Sequence, residues 1–218
     1  MTDDEVDAWE EKAASFEAAL SSRGGRWLDL LAEQLGVPAG ALARFHVGWR
    51  CPDHRKVGEG LVVGRCWTIP ERDGRGRITA INRRYEDGDK RVMYGGRRGL
   101  YVADGWRDMP GPVYCPEGFS DAAALVAVGT CAVGRPNVGA GVDVLAELLR
   151  DDARPVVVLG ENDENGPRRA ARVLPARPRR RRRDLHPAAA LRRRDVTAMM
   201  PPRATRTSGV PLREGGLA

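Results

Sequence analysis

Residues 113–121 read Val-Tyr-Cys-Pro-Glu-Gly-Phe-Ser-Asp, and the prediction of the fold starts from this stretch. The short apolar run Val113–Cys115 is typical of a buried strand, and an acidic residue and a glycine follow it closely. Ser120 is a residue type that caps helices, so the pattern predicts a helix over 121–128. The stretch therefore indicates a strand, a tight turn and a helix, with Glu117 just past the end of the strand.

The alternation of strand and helix continues downstream as far as residue 174. The further predicted elements are strands over 131–133 and 155–159, a helix over 142–149 and a helix that Pro167 begins. The run at 155–159 is fully apolar, as expected at the centre of a parallel sheet. Strands joined by helices imply crossover connections, so residues 112–174 predict an α/β fold with a parallel sheet and flanking helices.

Two different patterns precede this region. Residues 1–50 have a helical period, with predicted helices over 5–20 and 27–35 and a third, short helix that Pro38 opens. Residues 61–103 contain short strand-like runs separated by glycine-containing turns, which predicts an antiparallel meander. We therefore expect an N-terminal helical segment over 1–50, a β-rich lobe over 51–111 and the parallel sheet over 112–174.

Charge is distributed unevenly along the 218 residues. The net charge of +6 arises from 36 basic and 30 acidic side chains. Residues 168–218 contain 15 arginines and three acidic residues, a net charge of +12, which leaves −6 for residues 1–167. Residues 175–218 are rich in arginine and proline and predict a disordered tail. The five arginines at 179–183 have two interpretations: a basic arm that binds phosphates, or a frame-shifted piece of a GC-rich gene.

Three acidic side chains follow predicted strands and form the candidate site. Glu117 follows the strand at 113–115, and Glu161 and Asp163 follow the strand at 155–159. If these two strands are neighbours in a parallel sheet, the three carboxylates meet at its carboxyl edge, where ligands bind in such sheets. Carboxylates packed together resist ionisation unless a cation joins them, and ligands made only of oxygen suit Mg²⁺ or Mn²⁺.

The stretches Glu117-Gly118-Phe119-Ser120-Asp121 and Val156-Val157-Val158-Leu159-Gly160-Glu161-Asn162-Asp163 resemble the Toprim domain of bacterial DNA primases and of primase-like proteins from phages and mobile elements. The segment from Trp67 to Ile78 is similar to the β-rich part that precedes Toprim in the primase catalytic core. This resemblance implies a nucleotidyltransferase that makes primers in DNA replication. It also implies a single-stranded DNA template, nucleoside triphosphates, Mg²⁺ or Mn²⁺, and a separate replicative helicase as partners.

The resemblance also implies roles for individual residues. Glu117 corresponds to a glutamate that acts as general base or metal-associated acid. Glu161 and Asp163 stand at the two acidic positions of the Asp-x-Asp metal motif, although the first is a glutamate here. Asp121 is either a supporting acid or simply a charge in the first turn of a helix. The candidate contacts to template or nucleotide phosphates are the basic side chains Arg83, Arg84, Lys90, Arg97, Arg98 and Arg135. For the first five, the alternative interpretation is an exposed charge that only keeps the protein in solution.

The candidate zinc ligands in the sequence do not form a complete site. The set Cys51, His54 and Cys66 lacks a fourth ligand at a suitable spacing, so no zinc is expected.

The acidic N-terminus does not resemble a signal peptide and no apolar run is long enough for a bilayer, which predicts a soluble cytoplasmic protein without a membrane partner. Two alternatives to the primase stay open: a degenerate Toprim protein that binds nucleic acid without catalysis, and a metal-dependent Toprim nuclease.

Overall fold

The computed structural model describes residues 1–137 and 141–160. Its N-terminal part consists of the three predicted helices, α1 (Asp3–Ser21), α2 (Arg26–Leu35) and α3 (Ala39–Ala43). A capping box between Thr2 and Glu5 begins α1, and Gly36 ends α2 in the left-handed conformation, with φ 68°. None of the helices in the described part of the chain combines the length and the apolar character that crossing a bilayer requires.

An antiparallel sheet of four strands follows, in the order β1-β2-β3-β4. Its strands are β1 (Gly48–Val57), β2 (Gly60–Arg72), β3 (Ile78–Tyr85) and β4 (Lys90–Val92). The meander is therefore confirmed, but two details of the prediction were wrong. The apolar runs at 61–63 and 66–69 are two of the short strand-like runs in the sequence, but they belong to one long strand. The strand β1 was not predicted, because Pro52 and several charged residues in it hide the alternating pattern.

A parallel arrangement begins where the sequence predicted it. The strands β6 (Val113–Cys115) and β8 (Val156–Val158) pair in parallel. Two single parallel bridges, Tyr114 to Ala132 and Glu117 to Arg135, connect β6 and the residues after it to the chain on either side of β7 (Val133–Gly134). The strand β5 (Tyr101–Val102) pairs antiparallel with β7. In the described residues β6 therefore lies between β7 and β8. The expected central place of the strand at 155–159 stays a prediction, because the chain beyond Gly160 lies outside the described residues.

Helices cover both faces of this second sheet. The helix α4 (Phe119–Ala127) packs on one face together with α2, α3 and the indole of Trp67 from the antiparallel sheet. The helix α5 (Val142–Leu148) packs on the other face with Trp106. A third apolar cluster fixes α1 against the antiparallel sheet through Trp9 and Ile81. This layering confirms an α/β fold with helices on both faces of the sheet.

The predicted elements beyond Gly160 lie outside the described residues. These are the helix that Pro167 begins, the end of the 112–174 unit and the tail over 175–218. The division of the chain at residues 50, 111 and 174 stays a prediction. One strand bears on it: β5 precedes residue 111 but already pairs with β7.

Candidate functional site

Glu117 stands where the sequence placed it, just past the carboxyl end of β6. It pairs with Arg135 in a parallel bridge, and the N–H of Gly118 donates to the carbonyl of Arg135 at 2.8 Å. Gly118 then adopts φ 88°, a conformation that favours glycine, and α4 begins at the next residue. No side chain caps α4, so the predicted capping role of Ser120 was wrong. The half-buried Glu117 therefore lies beside the positive end of a helix.

The strand that leads to the other two acids is the direct neighbour of β6. The two strands pair in parallel, and the N–H of Leu159 donates to the carbonyl of Cys115 at 3.1 Å. The expected neighbour relation of these strands is thus confirmed. Glu161 and Asp163 lie outside the described residues, so the meeting of the three carboxylates stays a prediction. Residues 1–137 and 141–160 contain no group of three potential metal ligands.

A cleft of about 180 Å³ separates the antiparallel sheet from the start of α4. One wall is basic and contains Arg84 of β3, Lys90 of β4 and Arg98 from the segment after β4, and the opposite wall includes Gly118 and Ser120. The register explains the basic wall. Arg84 and Lys90 are direct partners across β3 and β4, so both side chains lie on the same face. The other lining residues are Ile69, Asn82, Val92, Tyr101, Phe119 and Pro136.

Arg98 spans the two halves of this cleft. Its Nε donates to Glu71 at 2.8 Å, and an Nη donates to the carbonyl of Pro136 at 3.4 Å. Burial alone lowers the pKa of Arg98, but the hydrogen bond and charge of Glu71 outweigh it, so the pKa is raised. Because the side chain is 33% exposed, a permanently charged guanidinium remains accessible from the cleft.

The structure does not bring every predicted basic residue to the cleft. Arg83 lies on the opposite face of β3, where it pairs with the fully buried Asp53 at 3.1 Å. Arg97 is exposed and is not among the residues that line the cleft. Asp121 lies in the first turn of α4 and is half-buried. Only Arg84, Lys90 and Arg98 therefore share one surface.

Arg135 has a different environment from the one that the sequence suggested. Its side chain is 1% exposed, so it presents no accessible guanidinium to a nucleic-acid backbone. An Nη donates to the carbonyl of Leu159 at 3.3 Å. Burial lowers the pKa of Arg135, while the neighbouring Cys115 and Glu117 act in the opposite direction. Arg135 is therefore an internal cation next to Glu117.

A larger groove, of about 480 Å³, lies beside the hairpin of β1 and β2. It contains two arginines, but each is paired with an acid of the same groove: Arg55 with Asp87, and Arg65 with Glu86 at 3.1 Å. Glu86 and Asp87 thus place two acids in the wall of this groove. The described residues that line the smaller cleft include three cations, Arg84, Lys90 and Arg98, and no acid, so the smaller cleft is the better candidate for binding phosphates.

The cysteines and the histidine considered for zinc do not form one group. Cys51 is exposed, whereas Cys66 is buried. Burial and the negative charge of Asp53 raise the pKa of the Cys66 thiol to about 12, which disfavours the thiolate that binds zinc. Cys115 and Cys131 are buried, as the sequence predicted. The expected absence of zinc itself stays a prediction.

Sequence reasoning missed the buried polar residues below the cleft. Glu71 is fully buried and contacts Arg98 and Tyr101, and Asn82 donates to the hydroxyl of Tyr101 at 2.8 Å. A signal for Glu71 was present in the sequence. Trp67, Ile69 and Glu71 alternate along one strand, so the acid shares the inward face of two large apolar residues.

Comparison with known proteins places the fold in one class: that of the bacterial primase catalytic core. No protein-family model and no curated protein matches the sequence. A structure of the DnaG catalytic core has a TM-score of 0.59 and 19% identity, with 78% of this chain and 66% of that chain covered. The chain thus covers just under two thirds of that structure.

Two further structures show the same fold. A DnaG primase catalytic domain bound to single-stranded DNA has a TM-score of 0.58 and 18% identity, over 78% of this chain and 65% of that chain. The RNA polymerase domain of Mycobacterium tuberculosis primase DnaG has a TM-score of 0.56 and 17% identity, over 80% and 72%. The resemblance that the sequence motifs indicated is thereby confirmed at the level of the fold.

Proposed function

We propose that the chain is a primase-like nucleotidyltransferase that joins nucleotides on a single-stranded DNA template. The cleft carries this proposal. Arg84, Lys90 and Arg98 face the N-terminus of α4 across it, and both the cations and the helix end favour phosphate. Glu117 immediately precedes the glycine that lines the opposite wall. A triphosphate bound in the cleft would thus lie next to an acidic side chain at the strand end.

The roles of the side chains follow from this placement. In nucleotidyl transfer a terminal 3′-hydroxyl attacks the α-phosphorus of a nucleoside triphosphate, and pyrophosphate leaves. Arg84, Lys90 and Arg98 neutralise the phosphates and orient them, and Glu117 accepts the proton of the attacking hydroxyl. Carboxylate oxygens fit Mg²⁺ or Mn²⁺, so Glu117, Glu161 and Asp163 would hold a divalent ion that neutralises phosphate charge.

The structural neighbours support a nucleic-acid partner. One similar primase domain is described as bound to single-stranded DNA, and another, from Mycobacterium tuberculosis, as bound to duplex DNA with a six-nucleotide overhang. We extend this property to the present chain because its cleft carries the cations that a phosphate backbone requires. A separate replicative helicase remains part of the proposal as a further partner.

A primer-synthesis assay tests this function. The protein is incubated with single-stranded DNA, labelled ribonucleotides and either Mg²⁺ or Mn²⁺, and we expect a ladder of short oligomers. Because Glu161 is one methylene longer than aspartate, Mn²⁺ should support activity at least as well as Mg²⁺. Shortened template without oligomers would instead indicate a nuclease. Template binding without any product would indicate the non-catalytic alternative.

A further inference from the structure

Glu71 is a carboxylate without any exposed surface, directly below the basic wall of the cleft. One of its oxygens accepts hydrogen bonds from Arg98 Nε at 2.8 Å and from the N–H of Gly99 at 3.0 Å. The other accepts from the hydroxyl of Tyr101 at 2.9 Å. Arg98 and Gly99 lie in the segment that connects β4 to β5, and Tyr101 is the first residue of β5.

The partners of Glu71 form part of the cleft surface. Arg98, Tyr101 and Asn82 all line the cleft, whereas Glu71 does not. Asn82 donates to the hydroxyl of Tyr101 at 2.8 Å and thereby extends the network to β3. Glu71 therefore reaches the cleft only through the side chains that it holds.

Stability alone gives a poor account of an acid at this position. Trp67 and Ile69 lie on the same face of β2. The free-energy cost of burial at this position would be lower for a further apolar side chain than for a charged one. The carboxylate does, however, fix a planar guanidinium more precisely than an apolar residue can. With its Nε held by Glu71 and an Nη directed to Pro136, Arg98 has a defined orientation at the mouth of the cleft.

We infer that Glu71 is a positioning residue for nucleotide binding: it holds Arg98 in the orientation in which the guanidinium meets a phosphate in the cleft. This inference rests on the proposed function of the cleft. It goes beyond that function because it assigns the orientation of a cleft cation to an acid that no ligand touches. Substitution of Glu71 should therefore weaken nucleotide binding only in a protein that still contains Arg98.

A double-mutant cycle on nucleotide affinity tests the inference. The probe is a fluorescent ATP analogue with Mg²⁺ and without template, so that polymerising activity does not enter the measurement. We expect Arg98→Ala and Glu71→Ala each to weaken ATP binding about tenfold. The first substitution removes the guanidinium that contacts the phosphate, and the second removes the carboxylate that orients this guanidinium. Glu71→Gln, which keeps the shape and an acceptor oxygen, should weaken binding about threefold.

The decisive comparison is made in the Arg98→Ala background. There, Glu71→Ala and Glu71→Gln should cause no further loss of affinity. An equal loss in both backgrounds would show a general structural role and overturn the inference, as would wild-type affinity in either Glu71 variant. If Glu71→Ala does not fold, the cycle with Glu71→Gln decides alone.

The same series separates this inference from the proposed function. If Arg98→Ala binds ATP like the wild type, the assignment of the cleft fails, and the role of Glu71 fails with it. If Arg98→Ala weakens binding but the Glu71 variants do not, only the positioning role fails. Arg23→Ala serves as the matched control, because Arg23 is an exposed arginine between α1 and α2, far along the chain from the cleft residues.

Discussion

The antiparallel sheet and the carboxyl end of the parallel sheet both hold carboxylates, but the two regions satisfy them differently. Asp53 is fully buried in the antiparallel sheet, where it pairs with Arg50 at 3.2 Å and Arg83 at 3.1 Å and accepts a hydrogen bond from Tyr85. Glu117 is half-buried at a strand end, beside the start of a helix.

This difference separates structural acids from candidate reactive ones. The oxygens of Asp53 are occupied by donors from its own sheet, so this acid has little capacity left for a ligand. Glu117 lies at the edge where ligands bind in parallel sheets. The place of an acid relative to a strand end is thus more informative than its burial or the number of its charged neighbours.

Substitution of the strand-end acids should have the largest effect on activity. Glu117→Gln and Asp163→Asn each remove a negative charge with almost no change in shape. Primer synthesis should fall by at least two decades if each acid stabilises the transition state by ~3 kcal/mol. Initial rates of oligomer formation measure the loss. Arg23→Ala is the control, and near-normal rates in both acidic variants would contradict the assignment of the site.

Substitution of the enclosed acid should instead lower stability. Asp53→Asn leaves Arg83 next to a neutral partner inside the sheet, and breaking a buried ion pair in this way costs about 3 kcal/mol. Thermal or urea unfolding should show this loss, with the exposed Asp151→Asn as control. ATP affinity of the folded variant should stay at the wild-type value. An Asp53→Asn variant of normal stability that no longer binds ATP would contradict the structural role of Asp53 and would indicate a role in ligand binding.

The cations of the cleft should act on binding and on its salt dependence. Arg84→Ala and Lys90→Ala should each weaken binding of single-stranded DNA or nucleotide, by about tenfold at low salt. For single-stranded DNA, the slope of log affinity against log salt should become shallower by about 0.7 for each lost phosphate contact. Fluorescence anisotropy over a salt series measures both quantities. Arg83→Ala should reduce stability instead, and an unchanged salt slope in the Arg84 and Lys90 variants would exclude the cleft as the phosphate site.

The sequence was sufficient for most of the order of elements in the described residues and for the place of Glu117 after a strand. Periodicity located α1, α2, β6 and α5 to within a few residues, because each buries an apolar face of its own. The motif around Glu117 was informative because an acid and a glycine between a strand and a helix constrain the local backbone. β1 escaped prediction since a strand with Pro52 and several exposed charges has no clear alternation.

Contacts between segments that are distant in the chain could not be predicted from the sequence. The occupied environment of Arg83, the burial of Arg135 and the network of Glu71 depend on which strand face meets which neighbour. No local pattern encodes those pairings, because Arg83 and Asp53, Arg135 and Leu159, and Glu71 and Arg98 are separated by 24 to 30 residues and come together only when the sheets pack. His46 is another such residue, because it connects α1 with the loop that follows β5.

His46 should give the protein a small pH dependence of stability. Its Nε2 lies 2.8 Å from Asp104, which follows β5, and its Nδ1 lies 3.1 Å from Glu17 on α1, while Arg44 donates to the carbonyl of Asp104. Burial alone lowers the pKa of His46, but the hydrogen bonds and charges of Asp104 and Glu17 outweigh it and raise the pKa above 6.5.

A raised pKa in the folded state means that the native protein binds the proton more tightly than the unfolded chain does. The resulting stabilisation is fully present below about pH 6.5 and is lost as the pH rises through the folded-state pKa. We expect a contribution of about 1 kcal/mol, since the site is partly exposed. Urea unfolding at pH 6 and pH 8.5 should show the difference, and His46→Gln should remove it. If His46→Gln keeps the same pH dependence as the wild type, the bridge between α1 and the loop after β5 is not the titrating element.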